Sequence, residues 1–248
     1  MKNLKKFWDN QFVPAGLLLG LALVVTALIA SWTAVSIKNA SDTLSVTGSA
    51  TANVTADSAK WVLTASRTAV ASSIPAATAQ VLADTKRIQT FLVQAGINEA
   101  STTIGAVHTN QDYSSYKVDQ NAPTRYVVSQ DVSASSDNPK LIQKLSQDTS
   151  ALTDMGIFLT VQDPEYFISN LPSYRISLAG LAMDDAKARA EQLVKESHQA
   201  VGRLRAASTA AVQVMSADSM NVSDYGTYDT STINKTVMVS VHATFSVE

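Results

Sequence analysis

Leu44-Ser45-Val46-Thr47-Gly48-Ser49-Ala50-Thr51-Ala52-Asn53-Val54 is the stretch that sets the architecture. Leu44, Val46, Ala50, Ala52 and Val54 point one way, and Ser45, Thr47, Ser49, Thr51 and Asn53 the other. That is the period-2 signature of a half-buried strand. Gly48 within it predicts a bulge or a close backbone approach. The alternation returns late in the chain, where Val237, Val239, Val241, Ala243, Phe245 and Val247 oppose Met238, Ser240, His242, Thr244 and Ser246.

Between these strands the period changes repeatedly. A strand over Ala59 to Thr68 follows a turn at Ala56-Asp57-Ser58. Helical spacing then places Val81, Thr85, Ile88, Leu92 and Ala95 on one stripe, with Pro75 near the first turn and Gly96 as the stop. Ser101–Val107 and Tyr126–Ser133 read as strands, separated by a polar loop holding Tyr113 and Tyr116. A second helix starts at Asn138-Pro139, buries Ile142, Leu145, Thr149 and Leu152, and ends at Gly156. Ile157–Val161 and Ser173–Leu178 read as extended. A third helix runs through Met183, Ala186, Ala190, Leu193, Val194, Val201 and Leu204, with Asp184 and Asp185 in its first turn and Arg203 and Arg205 in its last. A strand at Ala210–Met215 and a polar loop lead to the final strand. Strand pairs broken by single amphipathic helices predict an α+β fold, with three main helices on largely antiparallel sheets and residues 39–248 as one domain.

Upstream lies a different kind of segment. No residue from Asn10 to Ile37 carries a formal charge, and Ala15 to Ala30 is almost wholly apolar. A helix needs about 20 such residues to cross the hydrocarbon layer. Trp8, Phe12 and Trp32 suit the two interfaces, and Lys2, Lys5 and Lys6 precede the segment, against Lys38 alone after it. The positive-inside bias predicts a cytoplasmic N-terminus and an extracytoplasmic domain on an inner-membrane anchor, residues 1–38. A cleaved signal peptide is the competing reading, although its apolar region is normally about 7–15 residues. Either way the domain is exported.

Composition narrows the chemistry. With 19 basic and 21 acidic residues overall, the segment beyond the anchor keeps a net charge of about −5 and has no basic run. Nucleic acid and anionic lipid headgroups both need clustered Lys and Arg, so neither is expected as a partner. There is no cysteine, which removes disulfides, thiolate metal sites and a Cys nucleophile. The three histidines, His108, His198 and His242, lack ligand spacing, and no Gly-x-Ser-x-Gly elbow appears. No catalytic residue, metal site or cofactor is therefore expected. The most suggestive cluster is Asp224, Tyr225 and Asp229, whose hard oxygens suit a cation or polar ligand and whose sequence equally suits turns. Asp57 is expected to accept from backbone N–H groups in its own turn, and Glu165 and Tyr166 to form a structural corner.

Leu44 to Ala50, followed by Asp57 and an extended segment through Trp61, resembles the opening strands of the SIMPL domain family (DUF541). Asp185-Ala186-Lys187-Ala188-Arg189-Ala190-Glu191, then Gly202-Arg203-Leu204, resembles that family's most recognisable helix. Pro164-Glu165-Tyr166-Phe167 and Val222 to Gly226 with Asp229-Thr230-Ser231 look like a bacterial subgroup of anchored or periplasmic members. Ala56 departs from the Pro found there in many members. The resemblance implies an exported envelope protein, oligomeric in some members, with no established enzymatic activity and no agreed site residues. The leading expectation is a non-enzymatic protein acting through self-association or contact with another envelope protein. The alternative is a ligand- or cation-binding module using Asp224, Tyr225 and Asp229, and an exported hydrolase comes last.

Overall fold

A computed structural model of the chain describes residues 12–113, 123–195, 198–219 and 221–247. Lys2, Lys5, Lys6, Trp8 and Tyr116 lie outside them. The chain divides into two compact units, one of Met1–Ser49, Leu181–Thr209 and Ser240–Glu248, the other of Ala50–Gly180 and Ala210–Val239.

Helix α1 (Phe12–Ser41) contains a 19-residue stretch, Gly16–Ala34, with mean hydropathy 2.2 and no residue buried. It is long and apolar enough to cross a membrane, a property that signal sequences share.

In the second unit, β2 (Ser58–Val70) pairs along its whole length with β4 (Arg125–Ser136), and β3 (Thr102–Asp112) pairs with β4 on the other side. Two three-residue strands, β5 (Leu159–Val161) and β6 (Glu165–Phe167), complete the far edge of this sheet, and all of its pairings are antiparallel. Helix α2 (Ile74–Gln94) lays Val81, Ile88 and Leu92 on the sheet, and its C-terminus turns at Gly96, whose φ of +100° suits glycine. The core gathers Trp61, Leu63, Ile88, Leu92, Val132, Ile142 and Leu152. Trp61 is fully buried and still satisfies its indole N–H on the Gln162 carbonyl at 2.9 Å. Burying a large apolar side chain of this kind contributes about 2–3 kcal/mol.

The other sheet has strand order β1 (Thr43–Thr55), β10 (Asn234–Val247), β8 (Gln213–Ser216), β9 (Thr227–Tyr228), with β7 (Val201–Thr209) also pairing with β10. In the first unit, Val46, Ala243 and Phe245 bury their side chains with Ala186 and Ala190 of helix α5 (Leu171–Lys195). The fold is α+β with antiparallel sheets, as the strand and helix periods predict. One short pairing, β8 with β9, is parallel.

Five expectations need correction. Ser173–Leu178 is helical, because Asn170-Leu171-Pro172 starts α5 there and Leu178, 2% exposed, anchors its first turns in the core. Asp184 and Asp185 therefore lie in mid-helix. The same helix ends at Lys195, and Val201, Leu204, Arg203 and Arg205 belong to β7, which gains a backbone ladder with β10. The second predicted helix is two, α3 (Pro139–Gln147) and α4 (Ser150–Asp154), because Asp148 turns extended between them, its carboxylate accepting from the Ser150 N–H and hydroxyl. The strand expected at Ala210–Met215 begins at Gln213, and the one at Ile157 begins at Leu159.

Candidate functional site

The polar loop before β10 is built from its base outward. Gln213, 5% exposed, donates from Nε2 to the Ser223 carbonyl at 2.6 Å, and its Oε1 accepts from the Ser223 N–H and the Thr227 hydroxyl. Ser223 to Gly226 then forms a turn, with Gly226 at φ +86°. Asp224 and Tyr225 sit at the tip, Tyr225 97% exposed. Asp229 faces elsewhere. One of its carboxylate oxygens accepts from both the N–H and the hydroxyl of Ser231 at 2.7 Å. The Ser231 hydroxyl, then its N–H and Lys235, hold this carboxyl below the usual aspartate range against the opposing effect of burial.

Lys235 is fully buried, and its ammonium donates to the Asp229 backbone carbonyl, with the Asp229 carboxylate 3.9 Å away. Burial pushes the amine below its ordinary value, and Asp229 pulls the other way. A lysine inside a β strand reads as a solvated side chain, so the sequence offered no signal for it. No hydrogen bond joins Asp224 or Tyr225 to Asp229 among the described residues; the carboxylate of Asp229 serves the loop and the buried lysine.

Asp57 accepts from the N–H and hydroxyl of Ser169, at 2.9 and 2.5 Å, 112 residues away in the sequence. These bonds hold its carboxyl low, the hydroxyl contributing most. Tyr166, expected at a corner, belongs to β6 and is 4% exposed. The histidines lie in separate elements. His242 Nδ1 shares a 2.8 Å hydrogen bond with the Thr47 hydroxyl, His108 pairs across the ladder with Ser129, and His198 has a left-handed backbone. Among the described residues no group of three or more His, Asp or Glu is placed to hold a metal ion.

In the first unit β1 meets α5 at a close approach. A Cβ on Gly48 would lie 2.8 Å from the Ala186 Cα and nearer still to the Ala182 carbonyl oxygen and the Ala186 nitrogen. The Ser49 N–H donates to the Asp185 carboxylate at 2.8 Å, and Arg189 Nε donates to the same oxygen at 2.8 Å. The close approach expected at Gly48 is there, and its partner is the helix.

The open edges of the sheets differ in how they are guarded. β5 and β6 have three residues each and β9 has two. β3 breaks register between Ile104 and Val107, and β7 shifts register twice and carries Arg203 and Arg205. Short strands, irregularity and charge are the usual protections of an edge. β1 runs for 13 residues at the end of its sheet with no charged residue and no proline. Its outward hydroxyls at Ser45 and Thr47 bond to Thr244 and His242.

The SIMPL family model, described as a protein of unknown function (DUF541), matches residues 44–245. The two segments joined by the contacts of Gly48 and Ser49 with Ala182, Ala186 and Asp185 both fall inside it. No curated protein matches the chain.

Proposed function

The chain belongs to the SIMPL (DUF541) family, and from that membership we propose a non-enzymatic, membrane-anchored envelope protein whose exported domain acts by associating with further copies of itself. The observation that carries the reading is β1, the long uncharged edge strand. A strand edge presents unpaired N–H and C=O groups, and a second strand satisfies them with main-chain hydrogen bonds. β1 begins one residue, Asp42, after α1 ends. Copies held in one membrane by that helix would carry the edge at a common height and at raised effective concentration. The N-terminus lies in the cytoplasm and the domain outside it, following the lysine bias around the anchor.

Light scattering coupled to chromatography tests this on the detergent-solubilised full-length chain and on a fragment beginning at Asp42. A defined oligomer in both, reduced to monomer by Thr43→Lys with Thr51→Lys, is the expected result. These threonines are exposed, and lysines there place like charges on both sides of the pairing. A monomer in both forms, or an oligomer indifferent to the two lysines, overturns the reading.

The exposed tip at Asp224 and Tyr225 favours a second reading, a loop that takes a cation or polar partner. Titration of calcium into wild type and an Asp224→Ala, Asp229→Ala double variant tests it; identical heats remove the loop from consideration.

A further inference from the structure

The second unit contains an open cleft of about 600 Å³, lined among others by Thr55, Lys140, Gln143, Tyr166, Asp218 and Ser231. Small-molecule sites commonly occupy about 300–1,000 Å³. At this cleft Tyr166 is 4% exposed, its ring in the core cluster and its N–H donated to the Thr230 carbonyl at 2.8 Å. Pairing of Tyr166 with Ala59 of β2 fixes the backbone further. The phenol hydroxyl makes no hydrogen bond to the protein among the described residues. No buried side-chain polar atom is without a partner among the described residues, so this hydroxyl keeps some contact with solvent, and Tyr166 is among the residues that line the cleft. Burial, aided by Asp163, pushes the phenol above its ordinary value and keeps it a donor. A core tyrosine held rigidly with an unspent donor is a positioned recognition group.

The charged groups of the cleft are one of each sign. Lys140 comes from the first turn of α3, and Asp218 from the turn that succeeds β8. Neither forms an ion pair among the described residues, with each other or with a third group. The remaining lining is amide and hydroxyl, with Ala217 and Ile233 as its aliphatic surface. A polyanion would need several cations, and a divalent ion several carboxylates. A sugar ring would want an exposed aromatic platform, which a tyrosine sunk in the core does not present.

We infer that this cleft binds a zwitterionic ligand of the short-peptide class, with its carboxylate at Lys140, its ammonium at Asp218 and a backbone carbonyl accepting from the Tyr166 hydroxyl. This site shares only Thr55, the last residue of β1, with that strand and does not depend on self-association.

The test is calorimetric titration of tri-L-alanine into the full-length chain in detergent. Two blocked probes accompany it, the N-acetylated tripeptide and the tripeptide amide. Alanine suits a lining with little apolar surface. The unblocked peptide should bind, and each blocked form should bind at least about tenfold more weakly, one lost charge-assisted hydrogen bond. Asp218→Asn should erase the discrimination against the acetylated probe, and Lys140→Gln that against the amide. Tyr166→Phe should weaken all three probes by about three- to tenfold. Asp218 and Lys140 are exposed, so their variants test the idea even where Tyr166→Phe lowers the melting temperature. Absence of heat with the unblocked peptide at millimolar concentration overturns the inference. So does binding that ignores both blocking groups and all three substitutions.

Discussion

The backbone N–H of Ser49 donates to the carboxylate of Asp185 across 136 residues of sequence, at 2.8 Å. That N–H leads the causes that lower the Asp185 pKa, followed by the side chain of Arg189. Because the folded carboxyl titrates below the unfolded one, its contribution is present at neutral pH and is lost as pH falls through the folded value. Asp185→Asn should therefore lower the melting temperature at pH 7, and the gap to wild type should close at acid pH. Thermal unfolding followed at several pH values checks this; a gap that is constant with pH contradicts the clasp.

Gly48→Ala should destabilise strongly, because its methyl lands on α5 backbone rather than on a side chain that can move. Overpacking of this kind costs about 1–3 kcal/mol or more. Gly180→Ala is the matching control. It lies in α5 with nothing within 4 Å of the added atom, and alanine there should stabilise by about 0.5–1 kcal/mol. Denaturant midpoints with opposite signs are the expected pattern.

Asp84 is 3% exposed and accepts from both Nε and Nη2 of Arg67, at 3.0 and 2.6 Å, while Arg67 also donates to the Gly156 carbonyl. Asp84→Ala strands a guanidinium, and such a break costs about 3–5 kcal/mol. The Asp84→Ala, Arg67→Met pair should cost less than the sum of the single variants, as measured by a double-mutant cycle in urea.

Lys235 titrates below its ordinary value of 10.5 when folded. The unfolded chain then holds the extra proton over the interval between the two values, so stability rises with pH there and levels off above 10.5. Lys235→Met should flatten that alkaline rise. A rise that survives the substitution belongs to another group.

The absence of cysteine makes topology directly measurable. With a single cysteine at Ser208, an exposed position in β7, an impermeant maleimide should label cells whose outer barrier has been opened. A cysteine at Lys6 should stay unlabelled until the cytoplasm is opened. The reverse pattern inverts the anchor.

The strands that bracket the fold were legible because one face of each is buried and the other wet, as Val46 against Thr47 and Val241 against His242 show. The start of α5 was not. Tyr174, Ile176 and Leu178 alternate as a strand would, and packing of Leu178 overrides that local pattern, in agreement with the helix-start chemistry of Asn170-Leu171-Pro172. At the other end, Val201 and Leu204 continue the helical spacing by coincidence, and only pairing with β10 decides otherwise. Of the candidate site, the turn chemistry of Ser223 to Gly226 was readable from residue type. Lys235, Gln213 and Tyr166 were not, since long-range pairing buries them and no local period records it.

Ser45 finds its hydrogen-bonding partner, Thr244, 199 residues later. During synthesis β1 emerges long before β10, so the strand waits in the open while most of the chain is made. For that interval its uncharged edge is available to any neighbouring nascent chain. Chaperone capture at β1, or slower synthesis of the segments between β1 and β10, would thus decide how much of the protein reaches its native pairing.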